Sequence, residues 1–117
     1  MIIEGIGPDA PTTTNAAGGQ QSLNPYGFHL IPARALFEVA RVLQQGAAKY
    51  GETLEDRNYN KVPLEAHLNH ALAHIFAMLA GDSSDAHGAH ACCRLLFALD
   101  QSIRYENGTE MQPHSDS

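Results

Sequence analysis

Five of the chain's seven histidines fall within one stretch, HLNHALAHIFAMLAGDSSDAHGAH, residues 67 to 90, together with two aspartates. His67, His70 and His74 are spaced i, i+3, i+7. At about 100° per residue they occupy an arc of roughly 60° on a helix. His87, His90 and Arg94 repeat that spacing further along. Neutral imidazole and carboxylate are both metal ligands, and paired helices can aim several of them at one point. On this pattern His70 and His74, one turn apart, can share an ion that Asp82 or Asp85 and His90 would close. The competing reading is a set of hydrogen-bonded histidines that serve helix packing.

Three helices must carry these residues. The first is expected from Pro32, a residue favoured in a first helical turn, to Tyr50, with Gly51 as its stop. Its expected core stripe is Leu36, Ala40, Leu43 and Ala47. Glu38, Arg41, Gln45 and Lys49 form a polar stripe on the opposite face. After the loop GETLEDRNYNKVP, a second helix is expected from Pro63 to Ala80, ended by Gly81. Leu64, Leu68, Ala71, Leu72, Ile75, Met78 and Leu79 would be its core face. A third is expected from Asp85 or Ala86 to Arg104, with Cys92, Leu95, Leu96, Leu99 and Ile103 on one face. The histidine stripes flank the turn between the last two helices, so antiparallel packing would bring them together.

Length and composition set the outer limits. At 117 residues the chain is expected to form one helical domain over residues 29–104, preceded by an extended Gly/Pro/Thr-rich arm over 1–28 and followed by a flexible tail over 105–117. No strand shows convincing alternation, and the fold class is therefore all-α: a bundle of three to four helices completed by a second chain. A net charge of -6 argues against a nucleic-acid polymer as partner, since phosphate backbones need a basic surface. A bound divalent cation can reverse that argument locally, which keeps small nucleotides in play. Neither a signal peptide nor a run of about 18 apolar residues is present, so no membrane is expected and the location reads as cytoplasmic. Cys92 and Cys93 are adjacent in a helical pattern and point in different directions, as reduced packing residues would. The zincin motif HExxH, an adjacent His-Asp pair and the phosphate loop GxxxxGK[ST] are all missing.

The segments GGQQSLNPYGFHLIPARALFEVARVLQQGAAKYGE, RNY and HLNHALAHIFAMLAGDSSDAHGAHACCRLLFALD resemble the phage and prophage family of dATP/dGTP diphosphohydrolase-like proteins, over about residues 18 to 100. That family looks related to the all-α nucleotide pyrophosphohydrolases of the MazG kind. Their helical bundles assemble as dimers or tetramers, hold Mg²⁺ with ExxE and ExxD motifs, and release pyrophosphate from nucleoside triphosphates. Here Glu38 is followed three residues later by Arg41, and EAHLNH at Glu65 supplies no ExxD.

The resemblance implies a metal-dependent conversion of purine deoxynucleoside triphosphates to monophosphates in a phage-infected or lysogenic bacterial host. Glu38, Asp82 and Asp85 would be the catalytic metal ligands. His70, His74 and His90 would join them around Mg²⁺ or Mn²⁺, with Zn²⁺ as a further candidate. Lys49 and Arg94 would contact phosphates, joined by Arg41 in the sequestration reading that follows, while Tyr50 would stack on the base and Asn58 hydrogen-bond it. The alternative is a non-catalytic phage protein that sequesters a nucleotide immune signal in the same pocket of a homo-oligomer.

Overall fold

The computed structural model describes residues 3–51, 53 and 56–106. The chain divides into two compact units, Met1–Pro32 and Ala33–Ser117. The first unit contains an antiparallel hairpin of β1 (Thr12–Thr14) and β2 (Gln20–Ser22), in which Thr12 pairs with Ser22 and Thr14 with Gln20. Sequence reasoning expected no strand here. Every side chain of both strands is exposed, so there was no apolar alternation to read. The turn is instead written in polar chemistry. Asn15 Oδ1 accepts from the N–H groups of Ala17 and Gly19, at 3.0 and 2.8 Å, and Gly18 supplies a φ of +86°.

The second unit is helical. It comprises α1 (Ala33–Tyr50), α2 (Leu64–Leu79) and α3 (His87–Glu106), with a short 3-10 helix at Asn58–Lys61 before α2. Together with the small hairpin this is a mostly helical protein, an all-α bundle in class. The expected stops are in place: Gly51 and Gly81 take positive φ values of 66° and 83°. At the end of α2 the amide of Gly81 bonds to Met78 O, at 3.0 Å, and that of Asp82 to Ala77 O, also at 3.0 Å. These two bonds close a Schellman motif, which satisfies the last carbonyls of α2 and delivers Asp82 directly beyond it. α3 runs two residues past its expected end, and the expected tail lies, from residue 107 onward, outside the described residues.

α3 is the central element, packed against α2 along most of its length and against α1 on another side. The seam differs from the expected one. Its buried residues are small: Ala71 on α2, and Ala91, Cys93 and Ala98 on α3, with Val39 and Val42 contributed by α1. Leu36 and Leu43 of α1, Leu68, Leu72, Met78 and Leu79 of α2, and Leu95, Leu96 and Leu99 of α3 are exposed. Small side chains let α2 and α3 approach closely, and the faces carrying the large apolar groups are turned outward as a result. α3 carries leucines on one face and small apolar residues on another, and periodicity alone could not say which one meets a neighbour.

Two polar side chains are buried completely within this seam. Gln101, with 0% of its surface accessible, donates its amide Nε2–H groups to Tyr59 O at 2.9 Å and Val62 O at 2.8 Å. His67, 1% accessible, places Nε2 3.0 Å from the same Tyr59 carbonyl. The 3-10 helix is thereby pinned to both α2 and α3. Each bond satisfies a backbone group that would cost about 1–3 kcal/mol if buried alone.

Candidate functional site

The antiparallel pairing of α2 and α3 brings the two polar stripes together. His67 meets Arg94, whose Nη1 lies 3.0 Å from His67 Nδ1. His74 meets His87 and His90: its Nδ1 is 2.9 Å from His87 Nδ1, and its ring stacks on that of His90 with centroids 4.9 Å apart. Two carboxylates from the intervening turn complete the array. Asp82 Oδ2 lies 2.5 Å from His87 Nε2, and Asp85 Oδ1 lies 3.3 Å from His90 Nε2.

These contacts set the tautomers. His87 Nε2–H donates to the Asp82 carboxylate, and its Nδ1 shares one hydrogen bond with Nδ1 of His74. His67 donates Nε2–H to the Tyr59 carbonyl, so its Nδ1 is the acceptor for Arg94. Burial holds both His67 and His74 below the ordinary imidazole pKa of 6.5, and the neighbouring His90 and His87 push His74 further in the same direction. The Ser84 hydroxyl, followed by His87, lowers Asp82 from 3.8 to about 2. The Ala86 amide, donating at 2.8 Å, lowers Asp85.

Beside this array lies a cleft of about 440 Å³, walled by α1, α2, α3 and the 3-10 helix. That volume is in the range of small-molecule sites. Lys49, Tyr50, Asn58, Arg94, His70 and His90 all line it, so six of the residues singled out from sequence share one cavity. His90 belongs to both the cleft and the carboxylate–imidazole array. Glu38 and Arg41 do not join them. They form an exposed i, i+3 ion pair, 3.3 Å apart, and neither is part of the cleft lining. His74, Asp82 and Asp85 sit in the array rather than in the lining.

The cleft also contains residues that sequence reasoning did not assign to it. Tyr59 and Phe97 stack with centroids 4.4 Å apart and planes 5° from parallel, forming an aromatic wall, and His67 borders both rings. His67 stood in the recognised histidine stripe, which was the available signal. Tyr59 stood in a loop without periodicity and offered none.

A zinc centre needs at least three protein ligands around one point. Among the described residues no three His, Cys, Asp or Glu side chains are placed to hold a metal ion. Glu38, His70, His74, Asp82, Asp85 and His90 therefore do not form one coordination sphere. Magnesium bound through a polyphosphate makes a smaller demand, one or two carboxylates, and keeps several waters. In Asp82 and Asp85 the bonds described above fall on Oδ2 and Oδ1 respectively, leaving the other oxygen of each outside them.

The family model for dATP/dGTP diphosphohydrolase, N-terminal, matches residues 15–111, and so covers most of the chain. The chain belongs to this family. No curated protein and no solved structure matches it. Among the described residues no helix is long and apolar enough to cross a membrane.

The pKa shifts fix a pH dependence. His67 and His74 have native pKa values below 6.5, so the unfolded chain binds protons first as pH falls, and stability is lost below that point. Asp82, lowered from 3.8 to about 2, adds stability that is present above 3.8 and lost between those values. Thermal melts followed by circular dichroism should show a midpoint that is level from pH 8 to 7, falls from about pH 6.5, and falls again below about pH 4. A His74→Gln variant should shrink the first step. A midpoint that rises between pH 7 and 5.5 would contradict these assignments.

Proposed function

We propose that this protein binds purine deoxynucleoside triphosphates in the cleft and hydrolyses them to monophosphate and pyrophosphate. One observation carries the reading. In a chain of net charge -6, the described cleft lining contains no aspartate or glutamate but includes Lys49, Arg94 and three histidines. A half-enclosed pocket of that character selects an anion with an apolar part, and the aromatic wall suits a base.

His90 and Arg94 are one turn apart on α3, so phosphates would lie along that face, from Arg94 toward the Asp85 end. Tyr50 and Asn58, which also line the cleft, would take the base by stacking and hydrogen bonding. Lys49 would add a mobile charge over the phosphates. Asp82 and Asp85 would hold Mg²⁺ or Mn²⁺ against them. The ion would neutralise polyphosphate charge and make a bound water more acidic. The carboxylate–imidazole pairs keep His87 and His90 oriented at that end of the cleft.

The absence of a preformed three-donor metal group among the described residues favours a second reading: retention of a nucleotide signal without hydrolysis. Purified protein incubated with each dNTP and Mg²⁺ or Mn²⁺, with products resolved by liquid chromatography, separates the two. The enzyme reading expects dATP or dGTP to yield monophosphate and pyrophosphate. It expects that turnover to vanish with chelator and fall by about 100-fold or more in Asp85→Asn, a ligand loss at the reacting centre. Nucleotide bound and returned intact under every metal would favour sequestration.

The working unit in this proposal is a homo-oligomer. Leu36, Leu95, Leu96 and Leu99 stand around an apolar groove between α1 and α3, with Leu99 58% exposed. A second copy presenting the same strip would bury it and complete a larger bundle. Sedimentation equilibrium should give a multiple of the 12.6 kDa chain mass, and Leu96→Glu should reduce it to the monomer. A wild-type monomer at high protein concentration would refute this arrangement.

A further inference from the structure

Arg94 is a partly buried guanidinium with an unusual environment. No carboxylate among the described residues pairs with it. Its hydrogen bond is to a neutral imidazole, His67 Nδ1, at 3.0 Å. A guanidinium carries five N–H donors in a rigid fork, and a desolvated one without an anion is costly. Arg94 is half-buried in the cleft wall, so the donors that His67 does not engage face the cleft, where an anion can take them.

His67 is itself held from behind. It is 1% accessible, its Nε2–H donates to Tyr59 O, and Gln101 fixes that carbonyl from α3. Because Nε2 carries the proton, Nδ1 must present a lone pair, and only a donor such as Arg94 can satisfy it. The stacked Phe97 and Tyr59 rings lie against the imidazole, with centroids 5.4 and 6.4 Å from it. His67 can thus take one orientation and one tautomer, and Arg94 is the group that this orientation reaches.

We propose that His67 is a positioning residue for anion binding: it fixes the Arg94 guanidinium in the cleft wall so that the remaining donors take a phosphate group of the ligand. The anion's identity as part of a nucleotide rests on the function proposed above. The fork itself requires only a phosphate or pyrophosphate. Its consequence is that phosphate affinity depends on a side chain that does not touch the phosphate.

The test uses the full chain and calorimetric titration with two probes, pyrophosphate and dGTP as its non-hydrolysable analogue, supplied with Mg²⁺. His67→Phe keeps a ring in the seam and removes both nitrogens. It should weaken both probes on the order of tenfold, the effect of misplacing one charge-assisted contact. In an Arg94→Gln background the same substitution should add no further loss, because His67 acts through Arg94. His67→Asn, which retains an acceptor near the position of Nδ1, should restore part of the affinity. Undiminished binding in His67→Phe, or an equal loss with Arg94 already replaced, would overturn the proposal.

A structural role alone would not produce that coupling. Should His67→Phe fail to fold, nitrogen-15 spectra of the wild-type imidazoles decide the matter together with His67→Asn. The proposal needs a protonated Nε2 and an unprotonated Nδ1 at neutral pH, and the reverse tautomer would overturn it. Binding of pyrophosphate without any dNTP would leave the fork standing and remove the nucleotide reading. Binding of dGTP with no dependence on His67 would do the opposite, and binding of neither probe would remove both.

Discussion

The Tyr59 carbonyl is the point on which this unit depends. It accepts from Gln101 on α3 and from His67 on α2, and so ties the 3-10 helix to both halves of the helical pair. Two buried polar side chains would be a liability in a seam of alanines if either lost its partner. Sharing one carbonyl gives His67 Nε2 and Gln101 Nε2 a common acceptor and fixes their geometry, while Gln101 Oε1 stays buried without a partner among the described residues. From that geometry follow the tautomer of His67, the placement of Arg94, and the position of the Tyr59–Phe97 wall.

Charge separates the surface from the cleft. The acidic residues that give the chain its net charge include Asp82 and Asp85 in the turn after α2, while the described lining of the cleft is free of them. Each carboxylate of that turn is tied to a histidine of α3, so the negative end of the array is organised rather than merely exposed. In the proposed reading a phosphorylated ligand would meet cations first and carboxylates only at one end, where the proposed divalent ion would stand. An acidic protein can handle an acidic ligand in this way.

Much of this was legible in sequence, for identifiable reasons. Helix limits were marked by Pro32, Pro63, Gly51 and Gly81, each with a backbone requirement of its own. The two histidine stripes were legible because their spacing repeats and a short turn joins them. Lys49, Tyr50, Asn58 and Arg94 were identified through family resemblance, and they line one cleft. The core was not legible. With leucines on one face and alanines on another, α3 offers two apolar surfaces, and only packing shows that the alanine side meets α2. Glu38, singled out through the resemblance, and Arg41, singled out as a phosphate contact, pair with each other on the surface of α1 and are not among the residues that line the cleft. Gln101 gave no signal, since a glutamine near a helix end is ordinarily a surface residue.

The most direct test of the account is where an anionic nucleotide binds. Amide chemical-shift mapping with a non-hydrolysable dGTP analogue and Mg²⁺ places the ligand without relying on turnover. The account predicts that the largest shifts fall on Lys49, Tyr50, Asn58, His90 and Arg94, with Asp85 following when Mg²⁺ is added. Shifts confined to the outer face of α3 around Leu95 and Leu99, or none at saturating ligand, would contradict it.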